Sequence, residues 1–87
     1  MLHCAMPMTR EFQLAKLELI DDGIAMEQRH VADMKEHLAK ADAMGWWEGT
    51  ARASELVELS QQRIARLSDE RAALVAEMNE LPTRTAP

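Results

Sequence analysis

Two segments of this chain repeat apolar or small residues in alternating steps of three and four, and this heptad pattern constrains the fold more than any other feature. Such spacing places the repeated side chains on one stripe of an α-helix. The sequence therefore predicts two long helices, each with a single stripe that must be covered. The stripe residues are Leu17, Ile20, Ile24, Val31, Met34, Leu38 and Ala41 in the first segment, and Ala53, Val57, Ser60, Ile64, Leu67, Leu74, Met78 and Leu81 in the second.

The ends of both helices can be placed from capping residues and prolines. Thr9 is a suitable N-cap for the first helix, and Pro82 is expected to end the second. At 1.5 Å per residue the helices would be roughly 54 and 46 Å long, so they can fold back on each other. The expected division is a flexible N-terminal tail over 1–8, a helix over 9–44, a turn over 45–49, a helix over 50–81 and a disordered C-terminal tail over 82–87.

Two short stretches could interrupt these helices. Residues 21–23, Asp-Asp-Gly, have turn chemistry, and residues 68–70, Ser-Asp-Glu, resemble a helix start. A break normally shifts the heptad phase, yet Ile20 and Ile24 remain in phase, as do Leu67 and Leu74. We therefore expect continuous helices, with Gly23 as the point at which the first would bend.

Glu27 and Arg71 occupy the only charged positions of the two stripes. In an antiparallel hairpin that turns near Trp47, Ile24 lies opposite Arg71 and Glu27 lies opposite Leu67. The two charged side chains are then one helical turn apart across the seam. The sequence predicts that Glu27 and Arg71 pair and fix the register, with little net gain in stability.

Further apolar residues lie beside the two stripes and predict an oligomer. A chain of 87 residues buries too little surface for a secure core, and two helices bury only one seam. A second hairpin would cover the extra residues. The expected fold is all-α: an antiparallel two-helix hairpin, coiled-coil-like, that dimerises into a four-helix bundle. The expected dimer interface comprises Leu14, Leu19, Met26, Leu56, Leu59 and Val75.

Composition excludes several functional classes. The net charge is −5, which disfavours nucleic-acid binding. No apolar run is long enough to span a bilayer. The start, MLHCAMPM, lacks the features of a Sec-type signal peptide, so we expect synthesis in the cytoplasm and any export by another route. The single cysteine, Cys4, cannot form an intramolecular disulfide. No catalytic arrangement or phosphate loop is present, so neither an enzyme nor a cofactor site is expected.

Both tryptophans of the chain lie side by side at the expected turn, Trp46 and Trp47, between Gly45 and Gly49. Gly49 would permit a positive φ or a close approach of another chain. Trp47 offers a large flat surface with one N–H donor, suited to recognition by a partner. Trp46 could instead cover the open end of the bundle. The simpler alternative is that both aromatic rings only plug the end of the hairpin.

The triplet Trp47-Glu48-Gly49 at the bend of a matched hairpin resembles the WXG100 family, the ESAT-6-like proteins exported by type VII secretion systems. The resemblance covers roughly 9–81 and implies two long helices joined by a Trp-x-Gly turn, paired antiparallel as a homodimer or heterodimer. The chain lacks the tyrosine of the export signal that the family often carries after its second helix. The resemblance therefore implies that a partner would supply that signal.

Glu27 and His30 have the Glu-x-x-His spacing of ferritin-like di-iron bundles. The facing stretch of the second helix carries Arg63, Arg66 and Arg71, whose charge opposes cation binding. A core glutamate paired with arginine is the preferred interpretation, so no metal site is expected. A symmetric dimer could still bring two copies of Glu27 and His30 together, which keeps a metal-binding hairpin as a minor alternative.

The sequence thus predicts a non-enzymatic helical-hairpin interaction protein, paired with a similar hairpin and, by the resemblance, with secretion machinery through Trp46, Trp47 and Gly49. An intracellular helical adaptor or chaperone-like dimer unrelated to secretion stays open as the alternative. Genes for a secretion ATPase beside this one would separate the two hypotheses.

Overall fold

The computed structural model describes residues 9–85, and the side chains of residues 9–80. It consists of two helices, α1 (Arg10–Ala43) and α2 (Trp47–Thr85), which pack against each other along their length. Contacts between the start of α1 and the end of α2 make the pair antiparallel. The expected all-α hairpin is confirmed, and its shape is a rod of 66 × 28 × 15 Å.

Helix α1 begins where the sequence predicts. Thr9 has extended backbone angles, and its hydroxyl accepts a hydrogen bond from the amide of Phe12 at 3.1 Å, as an N-cap side chain does. The helix continues unbroken through Gly23, and α2 continues unbroken through Ser68. Continuity across both doubtful stretches follows the heptad phase. Within the part of the chain that the structure describes, neither helix has a segment long and apolar enough to cross a membrane.

The turn is shorter than expected and comprises Met44, Gly45 and Trp46. Gly45 has a φ of +71°, its amide donates to the carbonyl of Asp42, and the amide of Trp46 donates to the carbonyl of Ala41. These two bonds with a left-handed glycine form the Schellman termination of a helix. The chain therefore reverses by position 46. Helix α2 begins at Trp47, three residues earlier than expected, and the expected turn over 45–49 is wrong.

Pro82 does not end α2, which continues to Thr85. A proline lacks the N–H that would bond the carbonyl four residues earlier, here that of Met78. The Arg10 guanidinium donates to this same carbonyl, with Nη1 at 3.5 Å. The long-range bond offsets the missing one, so the expected helix end at position 81 is wrong. The expected tails over 1–8 and 86–87 lie outside the described residues, as does the side chain of Leu81.

The core is a narrow seam between the two helices. Ile20, Leu74 and Met78 are buried together near the open end, and they pack against partly buried Leu17, Ile24 and Leu67. Small residues, Ala41 and Ala53, are buried near the turn. Two polar side chains are also buried, Gln13 and Ser60, and neither Gln13 Oε1 nor Ser60 Oγ has a hydrogen-bond partner in the described structure.

The register of the hairpin differs from expectation by about one helical turn. Gly23 lies against Leu67, and Glu27 Oε2 lies 3.6 Å from Arg63 Nη1. Both pairs are symmetric about position 45, whereas the expected Glu27–Arg71 pairing assumed a turn near Trp47. That pairing is therefore wrong, because the Schellman turn closes the hairpin earlier. Arg71 pairs instead with Asp21 at the edge of the seam (Nε to Oδ1, 2.6 Å).

Candidate interaction surface

The two tryptophans at the turn have different surroundings. The ring of Trp46 lies directly over Gly49: a Cβ there would be 2.7 Å from Cδ2 and 2.8 Å from Cζ3 of that ring. Gly49 therefore serves a close approach within its own chain, while Gly45 supplies the positive φ. Trp46 is 56% exposed and Trp47 is 75% exposed. The structural unit is thus Trp46 with Gly49, and the large face of Trp47 remains open.

The start of α2 is anchored to Trp46 through the backbone. The Trp46 carbonyl accepts from both the amide and the hydroxyl of Thr50, at 3.0 and 3.1 Å. Together with the bond from the Trp46 amide to Ala41, this fixes the residue at both peptide groups. The backbone of Trp46 is thus fixed, and its ring packs on Gly49.

Beside this ring a groove of about 620 Å³ runs between the helices. Its size is within the range of ligand and anchor sites in proteins. Most of its lining is apolar, and sequence reasoning did not find it, because its residues flank the seam on two different helices. The apolar lining comprises Met34, Ala41, Met44, Trp46, Ala53 and Leu56, and the polar lining comprises His37, Lys40, Glu48 and Arg52.

The rim of the groove is more basic than the rest of the molecule. His37 Nδ1 lies 2.7 Å from the carbonyl of Asp33 and donates to it, so Nε2 is the nitrogen left for another partner. Among the described residues, neither Lys40 nor Arg52 has an ion-pair partner. Two unpaired cations and one carboxylate, that of Glu48, border an apolar floor in a chain whose net charge is −5.

Three large apolar side chains on α1 form a straight row. Phe12, Leu19 and Met26 are spaced by seven residues and are 58%, 71% and 60% exposed. Phe12 was not among the expected interface residues, although its spacing from Leu19 was a usable signal. Such a row of exposed large hydrophobics is unusual on a soluble monomer and marks a contact surface.

The row and the groove lie on the same side of the hairpin. Gln13, Ile20 and Ala41 are buried in the seam, and the residue directly before each of them projects to one flank of α1. That flank carries Phe12, Leu19 and Lys40, and Lys40 lines the groove. The same argument applies to α2, where Ala53 and Ser60 are buried. We call this side the groove face: Phe12, Leu19, Met26 and Lys40 of α1, with Arg52, Leu56, Leu59 and Arg66 of α2.

The expected dimer interface is split between two sides of the molecule. Leu19, Met26, Leu56 and Leu59 belong to the groove face, and Leu56 is half-buried in the groove. Leu14 is 49% exposed, but it lies about 140° around α1 from Leu19 at 100° per residue. Val75 is half-buried and lies about 160° around α2 from Leu59. One flat contact cannot cover all six residues.

The charged residues proposed for metal binding are placed apart. The Glu27 carboxylate faces Arg63, and His30 is exposed. Among the residues described by the structure, no three potential metal-binding side chains form a group that could hold a metal ion. Arg71 forms two hydrogen bonds to Asp21, and that carboxylate raises the pKa of the Arg71 guanidinium through the hydrogen bond and its charge. These ion pairs border the seam and define the register.

Comparison of the chain with protein-family models, with curated proteins and with solved structures finds no match. The groove face and the turn are therefore the features from which a function can be inferred. They combine an apolar row and groove with charges at the edges, a chemistry that is common at protein–protein interfaces.

Proposed function

We propose that this protein is a non-enzymatic helical-hairpin interaction protein that pairs through its groove face with a second hairpin, forming a four-helix bundle. The observation that carries this proposal is the exposed row of Phe12, Leu19 and Met26 beside the groove. A second hairpin laid on that face would remove the row from water and enlarge a core that holds few buried side chains.

The amount of exposed surface supports pairing. The 87-residue chain exposes 6727 Å², whereas a compact monomer of 9.8 kDa would expose about 5200 Å². The excess of about 1500 Å² is larger than the roughly 800 Å² that each partner buries in an interface of standard size. The chain as a whole therefore exposes enough surface for a contact of that size.

The charge pattern of α2 favours one orientation of the pair. On and beside the groove face of α2, Arg52, Arg63 and Arg66 lie toward the turn together with Glu48, and Glu70 and Glu77 lie toward the open end. When two copies lie antiparallel, the end of this face where arginine predominates in one copy is near the acidic end in the other. A parallel arrangement would place like charges together, which opposes association. A two-fold axis across the middle of the groove face generates the favourable arrangement, as in most homodimers.

By the resemblance to ESAT-6-like proteins, we further propose that the paired hairpins are a type VII secretion substrate or partner, synthesised in the cytoplasm and exported without a Sec-type signal. Trp47 is the residue assigned to recognition by the secretion machinery. Its 75% exposure and its position outside the groove lining support this role, because it stays accessible when the groove face is covered.

Sedimentation equilibrium on the full chain tests the pairing. We expect a dimer, and we expect Leu19→Glu to shift it to monomer because a charge would be buried in the contact. Leu14→Glu is the matched control, since it places the same charge on the opposite side of α1 and should leave the dimer intact. A well-folded monomer at concentrations up to about 1 mM, where ~4 kcal/mol of association would suffice, would contradict the proposal.

The role of Trp47 requires a separate test. Trp47→Ala should retain the helical circular dichroism signal and the dimer while reducing the secreted fraction in a strain that carries a type VII system. Trp46→Ala is the comparison variant for a loss of packing within the hairpin, because the ring of Trp46 packs on Gly49 and lines the groove. If Trp47→Ala unfolds the hairpin, the ring is only a structural plug and the recognition role fails.

A further inference from the structure

The groove at the turn is itself a site that the pairing can fill. We propose that it is the socket for Phe12 of a second copy of this chain, so that each dimer contains two identical sockets. This inference rests on the proposed pairing and adds the anchor residue and its receptor. It follows from the position of the row, the shape and lining of the groove, and the charges beside both.

The row of Phe12, Leu19 and Met26 occupies the open-end half of the groove face, and the groove occupies the turn half of the same face. A two-fold axis that sets α1 antiparallel on its copy brings these halves together. If the copies cross near position 29, about midway between the row and the groove, Phe12 reaches the level of Trp46 and Leu19 reaches the level of Lys40.

The groove has a lining that suits the aromatic ring of Phe12. Phe12 is the only phenylalanine in the chain and is 58% exposed. The groove offers it the ring of Trp46, packed on Gly49, and the side chains of Met34 and Met44. Aromatic rings gain from an edge-to-face contact, and methionines adapt to the ring that they meet. The remainder of the 620 Å³ groove is available to Leu19.

Two charged side chains favour the same alignment of the two copies. Glu18 directly precedes Leu19 and lies about 100° around α1 from it, at the border of the groove face. Neither Glu18 nor Lys40 has an ion-pair partner among the described residues. In the register that places Phe12 at Trp46, Glu18 of one copy lies at the level of Lys40 of the other. The apolar and the charged parts of the contact therefore agree on one alignment, and the symmetry repeats both.

Fluorescence of Trp46 gives a direct test. In a Trp47→Phe background Trp46 is the only tryptophan, and its dimerisation constant is first measured by sedimentation. On dilution through that constant, the Trp46 emission should move to longer wavelength as Phe12 leaves the groove. Phe12→Ala in the same background should weaken dimerisation by at least about tenfold, the loss expected for a buried aromatic anchor. Leu14→Ala, two residues away on the opposite side, should leave both readings unchanged.

The outcomes separate this inference from the proposed function. A dimer whose Trp46 emission does not depend on concentration, or whose constant is unaffected by Phe12→Ala, overturns the socket while the pairing stands. A monomer at every concentration overturns both.

Charge exchange tests the alignment. Lys40→Glu and Glu18→Lys should each weaken the dimer several-fold, since each places like charges together, and the double variant should recover most of the wild-type constant. Lys35→Glu, an exposed residue outside the groove lining, is the control for net charge. Losses that simply add in the double variant would show that Glu18 and Lys40 do not meet, and would overturn the proposed register.

Discussion

The three glycines of this chain differ in backbone conformation and in the atoms that surround them. Gly45 adopts a φ of +71° with no heavy atom within 4 Å of the position of a Cβ. Gly23 has helical backbone, and a Cβ there would lie 3.3 Å from Leu67 Cδ1. Gly49 is covered by the ring of Trp46. The same substitution to alanine therefore has opposite expected effects at different positions.

We expect Gly45→Ala to lower the free energy of unfolding by about 1 kcal/mol, because an L-residue disfavours the left-handed region by about that amount. The space around Gly45 is open, so no steric clash adds to this loss. Urea unfolding followed by circular dichroism measures it. Gly45→Asn should be milder, since asparagine tolerates this backbone region better. An alanine variant as stable as wild type would mean that the turn has another conformation.

We expect Gly23→Ala to raise the free energy of unfolding by about 0.5–1 kcal/mol. Alanine has the higher helix propensity by about 1 kcal/mol, and half-buried Leu67 can shift the few tenths of an ångström that the new methyl group requires. The same urea titration serves as the measurement. A destabilised variant would show that the seam at Leu67 is too rigid to adjust.

At the scale of the helices, the seam carries two buried polar side chains, Gln13 and Ser60, each with an oxygen that has no hydrogen-bond partner among the described residues, and Ser60 gives the simpler test. Ser60 is fully buried, and its hydroxyl has no partner in the described structure. We expect Ser60→Ala to raise the free energy of unfolding by about 1 kcal/mol, through the removal of an unpaired hydroxyl. Ser68→Ala, at an exposed position of the same helix, measures the gain in helix propensity alone. Equal effects of the two variants would mean that the Ser60 hydroxyl finds a partner.

Both helices could be predicted from the sequence, but their register could not. The heptad phase is a local property that survives Gly23 and Ser68, so it fixes the helices and the seam. The register depends on which glycine takes the positive φ, and Gly45 and Gly49 are both at the bend. Placing the centre of the turn two residues too late moved every cross-helix partner by about four residues, so Asp21–Arg71 and Glu27–Arg63 were missed. Lys40 in the last turn of α1 and Gly45 just beyond the helix are residue types that mark a helix C-terminus. They were the signal that α1 ends before Gly45 and that this glycine takes the positive φ.

Parts of the candidate surface also escaped prediction because they depend on that register. The groove forms only when residues flanking the seam of α1 meet those of α2. The heptad phase alone could have separated Leu14 from Leu19, since a difference of five residues places them on different sides of a helix. Gln13 is buried near the end of the hairpin, and nothing in the residue type indicated this position.

At the scale of the whole molecule, the hairpin is a rod rather than a globule. Its radius of gyration is 19.2 Å, whereas a globular domain of this length would have about 12 Å. The shortest dimension is only 15 Å, so most side chains lie at or next to the surface. The stability of a single hairpin must then come from the seam, and the proposed pairing would add to it.

Small-angle X-ray scattering distinguishes the proposed pairing from an end-to-end contact. Two rods laid side by side at a helix-packing distance should have a radius of gyration of about 20 Å, close to that of one hairpin, while the mass doubles. Their longest dimension should stay near 66 Å. A dimer with a much larger radius of gyration would place the contact at the tips and contradict a pairing through the groove face.

The connection of only three residues, Met44 to Trp46, has a consequence for assembly. The two helices share no other covalent link, and their mutual fit is independent of whether they belong to one chain. Straightening at Gly45 would let α2 leave its own α1 and take the equivalent place in another opened molecule, with every cross-helix contact conserved. The backbone conformation of Gly45 thereby decides whether each polypeptide closes upon itself or exchanges α2 with another.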